Sequence, residues 1–155
     1  MLFRSMDRLL DWLEANVPPG DDTALVHGDF RLDNLVFHPH EPRVVAVLDW
    51  ELSTLGHPLA DFGYHLMTYR LPDLILPGLR DANLPALGLP SEAEYVAAYC
   101  RRTGRAGIAH LDYYLVFNLF RAAAIFHGIR GRLLRGNATD RKSTRLNSSH
   151  LVISY

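Results

Sequence analysis

The chain has 155 residues, 48% apolar and 21% charged, with a formal net charge of −1. That is one domain's worth of sequence with enough apolar residues for a core, and near-neutrality gives no reason to expect nucleic acid or an anionic membrane as partner. A single cysteine, Cys100, excludes an internal disulfide and a cysteine-based zinc site. No apolar run approaches the roughly 20 residues of a membrane span, and the start lacks the charged and apolar regions of a signal peptide, so a cytoplasmic location is expected by default.

Apolar residues Leu2, Phe3, Met6, Leu9, Leu10, Leu13 and Val17 recur at helical spacing, and "VPPG" at 17–20 stops that helix. A polar cluster follows in "LVHGDFRLDNLVF", residues 25–37, where His27, Asp29, Arg31, Asp33 and Asn34 crowd between apolar ends. Two short runs, Leu35 to Phe37 and Val44 to Leu48, flank "HPHEPR" and predict a β-hairpin. The second run is apolar on both faces and is expected to be buried on both. Gly56 and Pro58 mark a loop, with a helix starting near Leu59 or Ala60. Residues 71–90, rich in Pro and Gly, read as an irregular connection. Ser91 and Glu94 form a capping box for a helix ending before Gly104. A longer helix is expected from about Asp112 to Arg130, with Leu115, Leu119, Ala122, Ala123 and Phe126 inward. The fold class is therefore mostly α with a small β-hairpin. From Arg141 onward "RKSTRLNSSHLVISY" abandons the preceding style, so 138–155 is expected to be a disordered, non-native tail.

The hairpin gives the polar cluster a geometry. Asn34 begins its first strand and Asp49 ends its second, so the two should meet at its open end, on strands ~4.8 Å apart. Asp29 lies on the loop feeding the same end. An amide oxygen and a carboxylate beside a second carboxylate suit Mg²⁺, which takes oxygen ligands together with phosphate oxygens. Asp29 would stand opposite and accept the proton of a substrate hydroxyl. That is the division of labour in kinase-type phosphoryl transfer. A metal site at His38 and His40 is disfavoured, because the hairpin tip points away from this end.

"HGDFRLDN", then "VLDWE", then "GHPLADFG" resemble the catalytic elements of the aminoglycoside phosphotransferase family, kinase-like enzymes that include choline and homoserine kinases. The wording is especially similar to the branch associated with acyl-CoA dehydrogenases. The last element departs from the usual form at Phe62-Gly63. The resemblance covers roughly residues 1–137 and implies the C-terminal lobe of a protein-kinase-like fold, with ATP and Mg²⁺ as cofactors. By position it implies Asp29 as catalytic base and Asn34 and Asp49 as nucleotide-metal ligands. It further implies that Arg31 offsets phosphate charge, that His27 organises the loop, and that Asp61 supports the loop from the following helix. Asp33 is read as a solvated loop acid or local turn former and Trp50 as a packing residue.

The small lobe of such an enzyme supplies a loop over the phosphates and a Lys–Glu pair. No Gly-rich loop precedes His27, and the one lysine, Lys142, lies in the atypical tail. The expectation is a C-terminal lobe whose N-terminal lobe belongs to a longer protein, and which alone turns over no ATP. The implied acceptor is a small-molecule hydroxyl, with a hydroxyacyl-CoA suggested by the branch. The alternatives are a choline, sugar or aminoglycoside kinase, and an inactive lobe acting only as a binding module. A scarcity of acids over 65–130 argues against a polycationic antibiotic, and the lack of a second carboxylate–histidine cluster against a phosphohydrolase.

Overall fold

The computed structural model describes residues 2–73 and 78–134. The expected tail at 138–155, and the expected boundary at 137, lie outside the described residues. Helix α1 (Leu2–Ala15) ends at the prolines that terminate its pattern. Strand β1 (Ala24–Val26) leads into the polar loop, which closes in a short 3-10 turn at Leu32–Asn34. Strands β2 (Leu35–Phe37) and β3 (Val44–Val47) form the expected hairpin, with Leu35 opposite Val47 and a bulge after Val36. A second 3-10 turn, Trp50–Leu52, connects to β4 (Thr54–Gly56).

Strand β4 was not anticipated. It pairs antiparallel with β1, Leu25 facing Leu55. This ribbon joins the residues before the polar loop to those after Asp49, so both ends of the cluster are fastened together. The expected burial of the hairpin's return strand is not what the structure shows. Val44 and Val45 are 42% and 46% exposed, and Leu48 is exposed too. Composition marks these side chains as able to be covered, but no described element lies over them.

Helix α2 (Leu59–Leu66) runs into a 3-10 turn at Met67–Arg70. Helix α3 (Glu92–Thr103) begins with the expected box: the Glu94 amide donates to the Ser91 hydroxyl and the Ser91 amide to the Glu94 carboxylate. The Ser91 hydroxyl, which donates to the Glu94 carboxylate at 2.7 Å, and the Ser91 amide hold that carboxyl below its usual range. Gly104 closes the helix in the left-handed region. Helix α4 (Leu111–Leu134) is longer than expected. The core lies where α2 crosses α4, from Leu59, Phe62, Leu66 and Met67 against Tyr114 and Leu115. Phe62 also stacks on Tyr99 of α3 at 3.8 Å between ring centres. Of the expected inward residues of α4, Leu115 is buried and Leu119 and Ala122 partly so, but Ala123 and Phe126 are exposed. The inward stripe runs instead through Tyr114 and Asn118, because α2 meets only the first half of α4.

Gly63 explains the unusual Phe62-Gly63. A Cβ there would stand 2.9 Å from the Cβ of Tyr114 and 3.1 Å from Nδ2 of Asn118. Glycine lets the two helices approach until their backbones nearly touch.

Candidate active site

The loop from His27 to Asn34 is held through the backbone at both of its ends. Asp61, in the first turn of α2, takes the His27 amide on one carboxylate oxygen (2.7 Å) and the Gly28 amide on the other (2.9 Å). The His27 ring is fully buried, with Nε2 2.7 Å from the Leu48 carbonyl and Nδ1 accepting from the Asp29 amide at 3.2 Å. The tautomer that satisfies both contacts carries its hydrogen on Nε2. Both ring nitrogens are thereby used in building the loop, and Trp50 packs its ring 4.8 Å from the imidazole.

Asn34 faces Asp29. Its Nδ2 donates to the Asp29 carbonyl (2.8 Å) and to the Asp29 carboxylate (3.1 Å). The hairpin ladder continues past Leu35, with the Leu48 amide donating to the Asn34 carbonyl at 2.8 Å. Asp49 therefore follows directly at the open end. Its backbone is left-handed, with φ 66°, which turns the chain out of β3. Arg31 and Asp33 form an ion pair at the loop's surface, so Asp33 is a partner of Arg31 rather than a merely solvated acid. Burial opposes the charge on Arg31, but Asp33 and Asp29 outweigh it and raise its pKa.

Three residues singled out by no sequence signal complete the site. Burial, with the Asp29 carboxylate nearby, pushes the Tyr64 hydroxyl up to about 12, so it stays protonated at neutral pH. Arg121 of α4 donates from Nη2 to the Gly28 carbonyl at 2.7 Å and from Nη1 to Oδ1 of the buried Asn118 at 3.1 Å. A hollow of about 200 Å³ opens beside Phe30, walled by Pro58, Phe62, His65, Tyr95 and Tyr99. Burial lowers the His65 pKa there. A wider hollow of about 760 Å³ lies along α3 and the turn before α4, and no residue of the loop lines it.

The donor set suits a hard cation in part. Both hydrogen bonds of the Asn34 amide use Nδ2, so Oδ1 is the atom through which a cation would be held. With the exposed Asp49 carboxylate this makes two protein oxygens, the number that Mg²⁺ commonly takes when phosphate supplies the rest. Among the described residues no group of three or more His, Cys, Asp or Glu could hold a metal by itself.

Comparison with known proteins decides the family. The profile of the APH phosphotransferase enzyme family matches residues 2–114. The chain belongs to this family. A crystal structure from Ralstonia eutropha, of a protein assigned provisionally as an aminoglycoside phosphotransferase, superposes with a TM-score of 0.83 at 46% identity, covering 96% of this chain and 46% of that one. Acyl-CoA dehydrogenase family member 10 of Mus musculus is 47% identical over 156 residues, or 97% of this chain and 15% of that protein. Acyl-CoA dehydrogenase family member 11 of Homo sapiens is 41% identical over 141 residues, or 90% of this chain and 18% of that protein. The chain thus spans a fifth or less of these curated relatives. As a member of this family it has the expected kinase-like fold, mostly helical with small antiparallel sheets. No helix among the described residues is long and apolar enough to cross a membrane.

Proposed function

We propose that this chain is the C-terminal lobe of an ATP- and Mg²⁺-dependent phosphotransferase that acts on the hydroxyl of a small molecule. One observation carries the reading: Asp29 is held by its backbone, its carbonyl and its carboxylate at the open end of the hairpin that also carries Asn34 and Asp49. The reaction asks for orientation and charge neutralisation more than for a strong base. Asp29 would accept the acceptor's proton, its carboxylate aimed by Asn34. Asn34 and Asp49 would hold Mg²⁺, which when bound neutralises phosphate charge. Arg31 would add positive charge at the loop's surface, where release from Asp33 is a matter of rotating one exposed side chain. The acceptor would lie over Phe30, against the aromatic hollow. A hydroxyacyl-CoA is favoured by the likeness to acyl-CoA dehydrogenase family members, and choline-type or sugar acceptors are the alternatives.

The nucleotide would need a second lobe from a longer protein, and the isolated chain is expected to bind partners without turning over ATP. The test grafts this chain in place of the matching segment of the Ralstonia protein and measures Mg²⁺-dependent ATP consumption with a panel of hydroxyl acceptors, hydroxyacyl-CoAs included. Turnover is expected in the graft, with loss of about 10²–10⁴-fold in Asp29→Asn, the usual contribution of a positioned proton acceptor. Turnover untouched by Asp29→Asn, or a folded graft inert towards every acceptor, would overturn the reading.

A further inference from the structure

The peptide that joins Gly28 to Asp29 is gripped from both sides. Its N–H donates to His27 Nδ1, from within the loop. Its carbonyl accepts from Arg121, 93 positions further along the chain. Rotation of this peptide would swing the Asp29 side chain, and among the described residues these two contacts hold the peptide's own N–H and carbonyl.

Arg121 reaches the loop as part of a strut. Its second arm holds Asn118, which is completely buried and donates through Nδ2 to the Ala60 carbonyl in α2 (3.0 Å) and the Tyr114 carbonyl in α4 (2.8 Å). One guanidinium therefore joins α4, through Asn118 α2, and the loop. Its central carbon also lies 5.7 Å from the ring centres of both Tyr64 and Phe117. Arg121 thus bears directly on the carbonyl that precedes Asp29, and its guanidinium packs on the ring of Tyr64, whose hydroxyl is near the Asp29 carboxylate. The planar fork of arginine suits this task, since it serves two oxygens and two ring faces at once, which a lysine ammonium cannot do.

We infer that Arg121 is a positioning residue for Asp29, fixing the plane of the Gly28–Asp29 peptide and backing the Tyr64 ring so that the carboxylate has one orientation. The inference rests on Asp29 being the carboxylate that faces the acceptor. Without Arg121 the Gly28 carbonyl and the Asn118 amide oxygen lose their donor, and the peptide gains freedom to turn. A displacement of about 1 Å at a reacting group costs on the order of 10²-fold in rate.

The experiment has two arms, each run on Arg121→Met and Arg121→Gln; either variant that folds decides. In this chain, amide exchange followed by NMR is expected to show the Asp29 amide exchanging at least tenfold faster. Amides of α3 around Cys100 should keep their wild-type rates. In the graft described above, kcat per folded molecule is expected to fall about 10²-fold with KM within twofold. Asp29 exchange and kcat both at wild-type values would overturn the inference. So would losses that merely track the unfolded fraction in a melt, since these would make Arg121 a stability residue alone. If Asp29→Asn leaves the graft active, the catalytic reading falls by itself. The exchange arm still reports whether Arg121 holds the peptide.

Discussion

At the scale of single residues, the site is a backbone clamped by side chains, and the clamps have different costs of removal. Gly28 adopts φ +84°, and a Cβ there would stand 2.6 Å from the Leu52 carbonyl oxygen. Leu52 ends the 3-10 turn that follows Asp49, so an added methyl would push apart the two segments carrying Asp29 and Asp49. Gly28→Ala combines backbone strain with overpacking, each worth about 1–3 kcal/mol, and should lower the urea midpoint accordingly with an unchanged slope. Asp61→Ala strips the acceptor from two loop amides at once and should cost about 3 kcal/mol, given roughly 1.5–3 kcal/mol for a bond to a charged group. The two differ in signature. Asp61→Ala loosens His27 and Gly28 and should speed their amide exchange, whereas Gly28→Ala should shift the signals of Trp50 to Leu52 instead. His27, Asp29, Asn34, Asp49 and Asp61 could all be singled out in the sequence because their order and spacing are local signals. Arg121 and Asn118 could not, since nothing in a helical stripe distinguishes an arginine that bends back to a loop from one that faces water.

At the scale of elements, the contact between α2 and α4 is the joint on which the loop's geometry depends. Gly63→Ala should force the helices apart against Tyr114 and Asn118. A cost of about 1–3 kcal/mol follows from overpacking a close contact, or a fall of roughly 2–12 °C in Tm at 2–4 °C per kcal/mol for a chain of this length. Larger residues at 63 should cost more and also disturb Asp29, through Asn118 and Arg121. Helix α2 and the turn leading into it also carry a pH dependence. Burial lowers the pKa of His65, and burial, partly opposed by Asp22, lowers that of His57. In the unfolded chain these groups take up protons near pH 6.5, while the folded chain resists until lower pH. Below about 6.5 the unfolded state then binds more protons, so stability is full above that value and is lost as pH falls through it towards the folded pKa. Tm measured between pH 7.5 and 5 should decline, and His65→Asn should flatten part of the decline, leaving the share due to His57. An equally steep decline in His65→Asn would assign the effect elsewhere. Helices α1, α3 and α4 were legible because periodicity, a proline stop and the Ser91–Glu94 box are written within a few residues. Strand β4 was not, because three residues pairing with three others some thirty positions away leave no local pattern.

At the scale of the whole molecule, helices α2, α3 and α4 share one core while the strands cover little. Leu25 and Leu55 stand opposite each other on the β1–β4 ribbon and are 63% and 74% exposed. Val36, Phe37, Val44, Val45, Trp50 and Leu52 are exposed as well. The helical half of the fold could be read from the sequence because periodic stripes bury against one another within the chain. Burial of the strands could not, because an apolar run looks the same whether or not anything covers it. Isolated exposed leucines are ordinary, but neighbouring ones on facing strands form a patch, and patches bind apolar ligands. The chain should therefore enhance the fluorescence of an apolar dye such as ANS at neutral pH while giving a cooperative melt. Two places could take the dye: the strand surface and the 760 Å³ hollow along α3, lined by Ala93, Val96, Ala97 and Leu111 among others. Arg101 at that hollow, beside Arg70 paired with Glu92 and Arg105 paired with Asp22, would attract the dye's sulfonate, whereas the ribbon's own residues, Ala24–Val26 and Thr54–Gly56, carry no charge. Leu25→Thr with Leu55→Thr separates the two, since threonine suits a strand and an exposed change should alter stability by no more than about 0.5 kcal/mol. If the strand surface is the site, the double variant should lose at least half of the enhancement with little change in Tm, and salt should barely matter. If instead the signal survives the double change and falls as ionic strength rises, the dye occupies the arginine-lined hollow, and the ribbon is too narrow to act as an apolar surface by itself.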